Sequence, residues 1–202
     1  MLHLMLVRHG ETEWNVQRRY QGQMDVPLSG LGRQQAELVA ERLSAGKIDA
    51  VYASDLSRTW QTARIIAEKC NLEISPEPRL RELRFGVFEG LTFDEAEAKY
   101  PDMISAWLKD FNNTPDGAET IDAFNARIIS LLDDLKRKHN EQSVLLVGHG
   151  GSLSEILRAV LGLSREKRWY LEMENASLSE VSISEEYVSL KRVNDTCHLG
   201  NL

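Results

Sequence analysis

The sequence predicts a three-layer α/β fold in which a mostly parallel sheet carries helices on both faces. Three observations support this. The short apolar runs Leu2–Val7, Ala50–Ala53 and Val144–Val147 have the length and continuity of strands buried on both sides. Longer segments between them place apolar residues at helical spacing. Strands that alternate with helices pair in parallel through crossovers, and the crossover helices cover the sheet.

Each element follows from local chemistry. Leu2–Val7 ends at the polar Arg8-His9-Gly10. Ser29 opens a helix with Ala36, Val39, Ala40 and Leu43 on one stripe and Gly46 as its stop. Ala50–Ala53 is the second strand. After Ser57 the stripe Ala63, Ile66, Ala67 and Cys70 predicts another helix, and Ile74 lies in a short extended piece. Residues 85–119, with Gly86, Gly90, Pro101, Pro115 and Gly117, have weak periodicity and predict a cap-like insertion with a short helix or two. From Thr120 a strong helical stripe returns: Ile121, Phe124, Ile128, Leu131, Leu132 and Leu135. Val144–Val147 is a buried strand, and Leu153, Ile156, Leu157 and Val160 mark the helix after it. Leu178–Ile183 and Tyr187–Val193 predict a closing hairpin.

At 202 residues, one domain over 1–202 is expected. Hydrophobic residues make up 42% and charged residues 27%, an ordinary globular composition. The net charge of −7 argues against nucleic-acid or membrane-surface partners, which need a basic face. No apolar run has the roughly 18 residues of a membrane span. The N-terminal segment reads as a strand, not a signal peptide, so a cytoplasmic protein is the default expectation. Cys70 and Cys197 have no metal-like spacing, and no HxxxH or HxH pair is present, so no metal or other cofactor is expected. A homodimer is left open.

In parallel sheets, ligands bind beyond the carboxyl ends of the strands. Two polar segments directly follow buried strands: Arg8-His9-Gly10, and His149-Gly150-Gly151 after Val144–Val147. Two histidines far apart in sequence would thus face one crevice. A histidine with one ring nitrogen hydrogen-bonded can use the other as a nucleophile. Arg8 supplies a planar fork for phosphate oxygens, and Gly10 is expected to let the backbone approach an anion. Arg58 stands at a helix start, where cations are disfavoured unless an anion is near, so its placement leans functional.

The blocks Arg8-His9-Gly10-Glu11-Thr12-Glu13-Trp14-Asn15, Leu28-Ser29-Gly30-Leu31-Gly32, Ser54-Asp55-Leu56-Ser57-Arg58-Thr59, Leu80-Arg81-Glu82-Leu83-Arg84-Phe85-Gly86 and Val147-Gly148-His149-Gly150-Gly151 follow one another along the chain. Together they resemble the histidine phosphatase superfamily, also called phosphoglycerate-mutase-like. The tail Asn194-Asp195-Thr196-Cys197-His198-Leu199 is also similar to small phosphatases of that superfamily. The resemblance implies that His9 attacks phosphorus and forms a phosphohistidine. It implies that Arg8, Arg58 and a protonated His149 surround the phosphoryl oxygens, and that Asn15 is a neutral donor to one of them. Glu82 would be the acid for the leaving oxygen and then the base for water. Gln21, Gly22 and Gly150 are expected in the phosphate or substrate site. Glu89 and Glu119 are rival carboxylates, and Arg79, Arg81 and Arg84 are alternative partners for Glu82. His198 could fold back toward the pocket.

The implied activity is hydrolysis of a small phosphomonoester. Residues 85–125 hold nine acids against two lysines, an imbalance that disfavours a second anionic group on the substrate. This makes α-ribazole 5′-phosphate the leading expected substrate. Mutase activity, broad-specificity or phosphoserine phosphatase activity, and a non-catalytic phosphate-binding module are the alternatives.

Overall fold

The computed structural model describes residues 1–164, 170–200 and 202. Six strands form one sheet: β1 (Leu2–Arg8), β2 (Ala50–Ala53), β3 (Ile74–Pro76), β4 (Ser143–Gly148), β5 (Leu178–Ile183) and β6 (Val188–Asp195), in the order β3-β2-β4-β1-β5-β6. The β3-β2-β4-β1 half is parallel; β5 and β6 join it antiparallel.

The alternation of β1 and β4 decides the layers. Leu4 and Leu6 pair with Val144 and Leu146, and all four join the core made with α6 (Ile121–Lys138) and α7 (Gly150–Val160). Val7, Leu145 and Val147 point to the opposite face. There they meet Val39, Ala40 and Leu43 of α2 (Gly30–Ser44) and Ala63 and Ile66 of α3 (Ser57–Cys70).

Capping sets where the helices begin. The Ser29 hydroxyl accepts from the Gly32 amide at 3.0 Å and the Thr120 hydroxyl from Ala123 at 3.2 Å. No side chain caps α3 in that way; instead the Asp25 carboxylate accepts from the Ser57 amide at 2.7 Å and its hydroxyl at 2.8 Å. A short helix, α1 (Glu13–Val16), follows the first strand and has no apolar stripe to announce it.

Residues 85–119 hold a 3₁₀ turn at Gly86–Phe88, α4 (Phe93–Lys99) and α5 (Pro101–Lys109). Their own small core of Phe88, Ala96, Ile104 and Trp107 packs against Tyr20 and Phe85. Among the described residues no helix is long and apolar enough to cross a membrane.

Candidate active site

The register of the sheet brings the two histidines together. Arg8 is paired with Gly148 across β1 and β4, and the His9 amide donates to the Gly148 carbonyl at 3.0 Å. His9 and His149 therefore leave adjacent strand ends side by side, with ring centroids 5.3 Å apart. Both are buried. They line a cavity of about 170 Å³ with Arg8, Asn15, Gln21, Gly22, Arg58, Glu82, Arg19, Tyr20 and Phe85.

The His9 ring has a defined sense. Its Nδ1 lies 2.7 Å from the Gly10 carbonyl oxygen, which can only accept, so Nδ1 carries the proton and Nε2 keeps its lone pair. Burial, then the charges of Arg58 and Arg8, hold the imidazole neutral well below the usual histidine range. An unprotonated Nε2 beside two guanidinium groups has the chemistry a nucleophile for an anionic centre needs.

Arg58 is almost fully buried. It donates to the carbonyl oxygens of Gly22 at 2.7 Å and Met24 at 2.8 Å, and through Nε to His149 Nδ1 at 3.2 Å. Burial pulls its pKa down to about 10, opposed by Glu82 and Asp25. Arg8 is held through its terminal nitrogen by the Met173 carbonyl, while its buried Nε has no partner among the described residues. A buried donor without a partner is costly, and this one belongs to a cavity-lining cation.

Asn15 Oδ1 accepts from the Thr12 amide at 3.0 Å and the Thr12 hydroxyl at 2.9 Å, leaving its Nδ2 as the free donor. Gln21 is buried with its Oε1 unpartnered. Gly22 adopts φ +50, and a β-carbon there would come within 2.0 Å of Glu89 Oε1.

Glu82 accepts from the Leu83 amide at 2.8 Å and from the Gly151 amide, at the start of α7, at 2.9 Å. Two of its three alternative partners are engaged elsewhere, Arg79 with Glu77 and Asp134 and Arg81 with Asp55, and the third, Arg84, is exposed. Of its rivals, Glu119 pairs with Arg127, and Glu89 accepts from the amides of Gln23 and Phe85. Only Glu82 of these three carboxylates lines the cavity.

Three expectations change. A β-carbon on Gly10 would come within 2.2 Å of the Gly32 carbonyl oxygen, so this glycine allows close packing against α2 and not an anion's approach. His149 is not a protonated donor as folded. Its Nδ1 accepts from Arg58 and its Nε2 lies 2.9 Å from the Ser54 hydroxyl, while burial and the neighbouring Arg58 keep it neutral. Finally, none of the nine acids of residues 85–125 lines the cavity. Glu89 serves backbone amides, and Glu95 and Glu119 are paired with Arg19 and Arg127.

A β-carbon added at Gly150 would meet Arg8 only at ordinary contact distance, whereas one at Gly151 would collide with Glu82, to which the Gly151 amide donates. The importance of Gly151, and of Ser54 behind His149, depends on packing between distant segments; their membership of the motif blocks was the only sequence signal.

The histidine phosphatase superfamily (branch 1) family model matches residues 4–196. The chain belongs to this superfamily. Its histidine phosphatase relatives cover nearly all of it. Phosphoserine phosphatase 1 of Hydrogenobacter thermophilus is 36% identical over 99% of this chain and 95% of its own. The Enterobacter protein named "Probable phosphoglycerate mutase GpmB" is 40% identical over 92% of this chain and 86% of its own. The crystal structure of the alpha-ribazole phosphatase from Shigella flexneri superposes with a TM-score of 0.90 at 29% identity, covering 96% of each chain. The protein is a histidine phosphatase enzyme, and it shares its fold with the Shigella flexneri structure. Among the described residues no group of three or more His, Cys, Asp or Glu side chains is arranged to hold a metal ion.

Proposed function

We propose that this histidine phosphatase hydrolyses small phosphomonoesters through a phosphohistidine on His9. The observation that carries the reading is the His9 tautomer: Nδ1–H is committed to the Gly10 carbonyl, so Nε2 keeps its lone pair on a ring that lines the cavity. Nε2 attacks phosphorus, the P–N bond forms and the P–O bond to the leaving group breaks. Glu82, in its acid form, gives its proton to the departing oxygen. It then takes a proton from water, which attacks the phosphohistidine, releases phosphate and returns His9 to its starting state.

Arg8, Arg58 and the Asn15 amide supply donors for the phosphoryl oxygens, where charge spreads during transfer. Burial and Arg58 disfavour a protonated His149 in the empty site; the negative charge of a bound phosphate favours it, so His149 joins the cluster by taking a proton from solvent as phosphate enters. Gln21 and Gly22 shape the wall, whereas Gly150, expected in the same site, is not among the residues that line this cavity. A cytoplasmic setting belongs to the same reading, since the free thiols of Cys70 and Cys197 suit a reducing compartment.

The leaving group departs toward Tyr20 and Phe85, whose rings lie 5.2 Å apart and both line the cavity. Two aromatic faces suit an apolar or aromatic leaving group, which supports α-ribazole 5′-phosphate as the substrate. Arg19 also lines the cavity and favours a second reading, a carboxylate-bearing monoester such as phosphoserine. Against it, Arg19 is already held by Glu95 at 2.5 Å and the Gly90 carbonyl at 2.7 Å.

A substrate panel decides. α-Ribazole 5′-phosphate is expected to exceed phosphoserine and 3-phosphoglycerate in kcat/KM, and a preference of more than about tenfold the other way overturns that assignment. Undiminished phosphate release by a His9→Ala variant removes the covalent mechanism.

A further inference from the structure

Asn175 lies in the turn that leads into β5, and the scheme above gives it no task. Its Nδ2 donates to the His9 carbonyl at 3.1 Å and reaches Asn15 Oδ1 at 3.4 Å. Together with the Thr12 amide and hydroxyl, three donors converge on that single oxygen of Asn15. An amide whose oxygen is so held has its NH₂ on the other side, and Asn15 lines the cavity.

The neighbouring backbone acts in the same direction. The Ala176 amide donates to the carbonyl oxygens of both Arg8 and His9 at 3.1 Å. Ala176 is fully buried at φ 54, a left-handed conformation that a residue with a β-carbon adopts at a cost. Its carbonyl accepts from His198 Nε2 at 2.9 Å, and His198 Nδ1 accepts from Arg42 at 2.9 Å. Asp195 holds Arg42 in turn. The tail thus folds back, as its resemblance suggested, but onto the support of the nucleophile loop; His198 is not among the residues lining the cavity.

We propose that Asn175 is a positioning residue for phosphoryl transfer. It fixes the Asn15 amide in the sense that presents N–H to a phosphoryl oxygen, and its bond to the His9 carbonyl holds it in place to do so. The inference rests on the roles given above to His9 and Asn15. A fixed donor aimed at oxygens that gain charge acts chiefly in the transition state. Loss of Asn175 therefore lowers kcat more than it raises KM. Asn175→Asp is the stronger perturbation: a carboxylate against Asn15 Oδ1 and the His9 carbonyl attracts the Asn15 NH₂ and turns it from the cavity.

The test uses Asn175→Ala, Asn175→Asp, Asn15→Ala and the double Asn15→Ala/Asn175→Ala variant, with p-nitrophenyl phosphate as substrate. Vanadate and phosphate serve as inhibitors that do and do not take up the five-coordinate geometry. kcat is expected to fall about 10- to 30-fold in Asn175→Ala and about 100-fold in Asn175→Asp, with KM within about threefold. Vanadate inhibition weakens in step with kcat while phosphate inhibition stays within about threefold. The double variant is no more than about twofold slower than Asn15→Ala, as two residues acting through one donor require.

Wild-type kcat in folded Asn175→Ala overturns the proposal. So does equal weakening of both inhibitors, or a multiplicative loss in the double variant. If Asn175→Ala does not fold, the near-isosteric Asn175→Asp carries the same tests. Activity in His9→Ala overturns the phosphohistidine reading alone, because the Asn15–Asn175 coupling is read from ratios among the asparagine variants.

Discussion

Gly151→Ala separates the chemistry of Glu82 from the stability of the fold. Gly151 is the second residue of α7, and within a helix alanine is preferred over glycine by up to about 1 kcal/mol. The added β-carbon, however, would stand 2.2 Å from Glu82 Oε1, where ordinary contact begins at 3.4 Å. The backbone of α7 is fixed by its buried face, so the flexible carboxylate yields by about 1 Å. Its bond to the Gly151 amide, 2.9 Å as folded, is strained or lost with that movement. A misplacement of that size costs a positioned catalytic group on the order of 100-fold in rate, or about 2.7 kcal/mol of barrier.

The assay is steady-state hydrolysis of an alkyl phosphate, whose poor leaving group needs the proton, alongside a thermal melt. The expected result is a kcat roughly 100-fold below wild type with a melting midpoint equal or higher. A kcat within about threefold of wild type, in a variant that melts at or above the wild-type temperature, refutes the placement of Glu82 as the acid.

Three further outcomes are expected. Glu82→Gln should accumulate labelled phosphohistidine from p-nitrophenyl phosphate, since that leaving group needs little protonation while water still needs a base; turnover at the wild-type rate counts against the double role. Arg58→Ala, by leaving the carbonyl oxygens of Gly22 and Met24 without their buried donor, should lose about 2–4 kcal/mol of stability in denaturant titrations as well as activity; activity loss with full stability would mean that the loop holds itself. Stability should fall as pH drops below about 6.5. His9 and His149 have folded pKa values well below the ordinary 6.5, so the unfolded chain binds more protons in that window and is favoured by acid. Above pH 6.5 both are neutral in either state, below it each subtracts up to about 1.4 kcal/mol of stability per pH unit, and a flat denaturation midpoint between pH 7 and 5 contradicts the neutral assignment.

The parts of this molecule that were legible in the sequence are those that one segment announces by itself. Apolar runs of strand length gave β1, β2 and β4, and the stripes from Ala36, Ala63 and Ile121 gave α2, α3 and α6. The strand-end rule brought His9 and His149 together, since both follow parallel strands at one end of the sheet. What was not legible depends on which distant segment lies opposite. Gly10 faces Gly32 and not a ligand; Gly151 faces Glu82; Asn175 reaches across from the start of β5 to Asn15. Charge counts failed for the same reason. The acids of residues 85–125 share a stretch of sequence with the cavity's cover, but their carboxylates turn to backbone amides, to arginines or outward.

The position of β1 bears on how the enzyme comes into being. The strand that leads to His9 precedes every other strand of the sheet, yet both of its sheet neighbours, β4 and β5, come far downstream. During synthesis Leu2–Arg8 therefore waits as an apolar segment with both edges unpaired, prone to pair with other chains. Closure over such sequence separations is slow. The His9 ring gains its neutral, buried state only when the His149 strand has docked on one side and the Asn175–Ala176 turn on the other. Phosphatase activity should consequently appear as a late, all-or-none event in refolding, after most helical signal has returned.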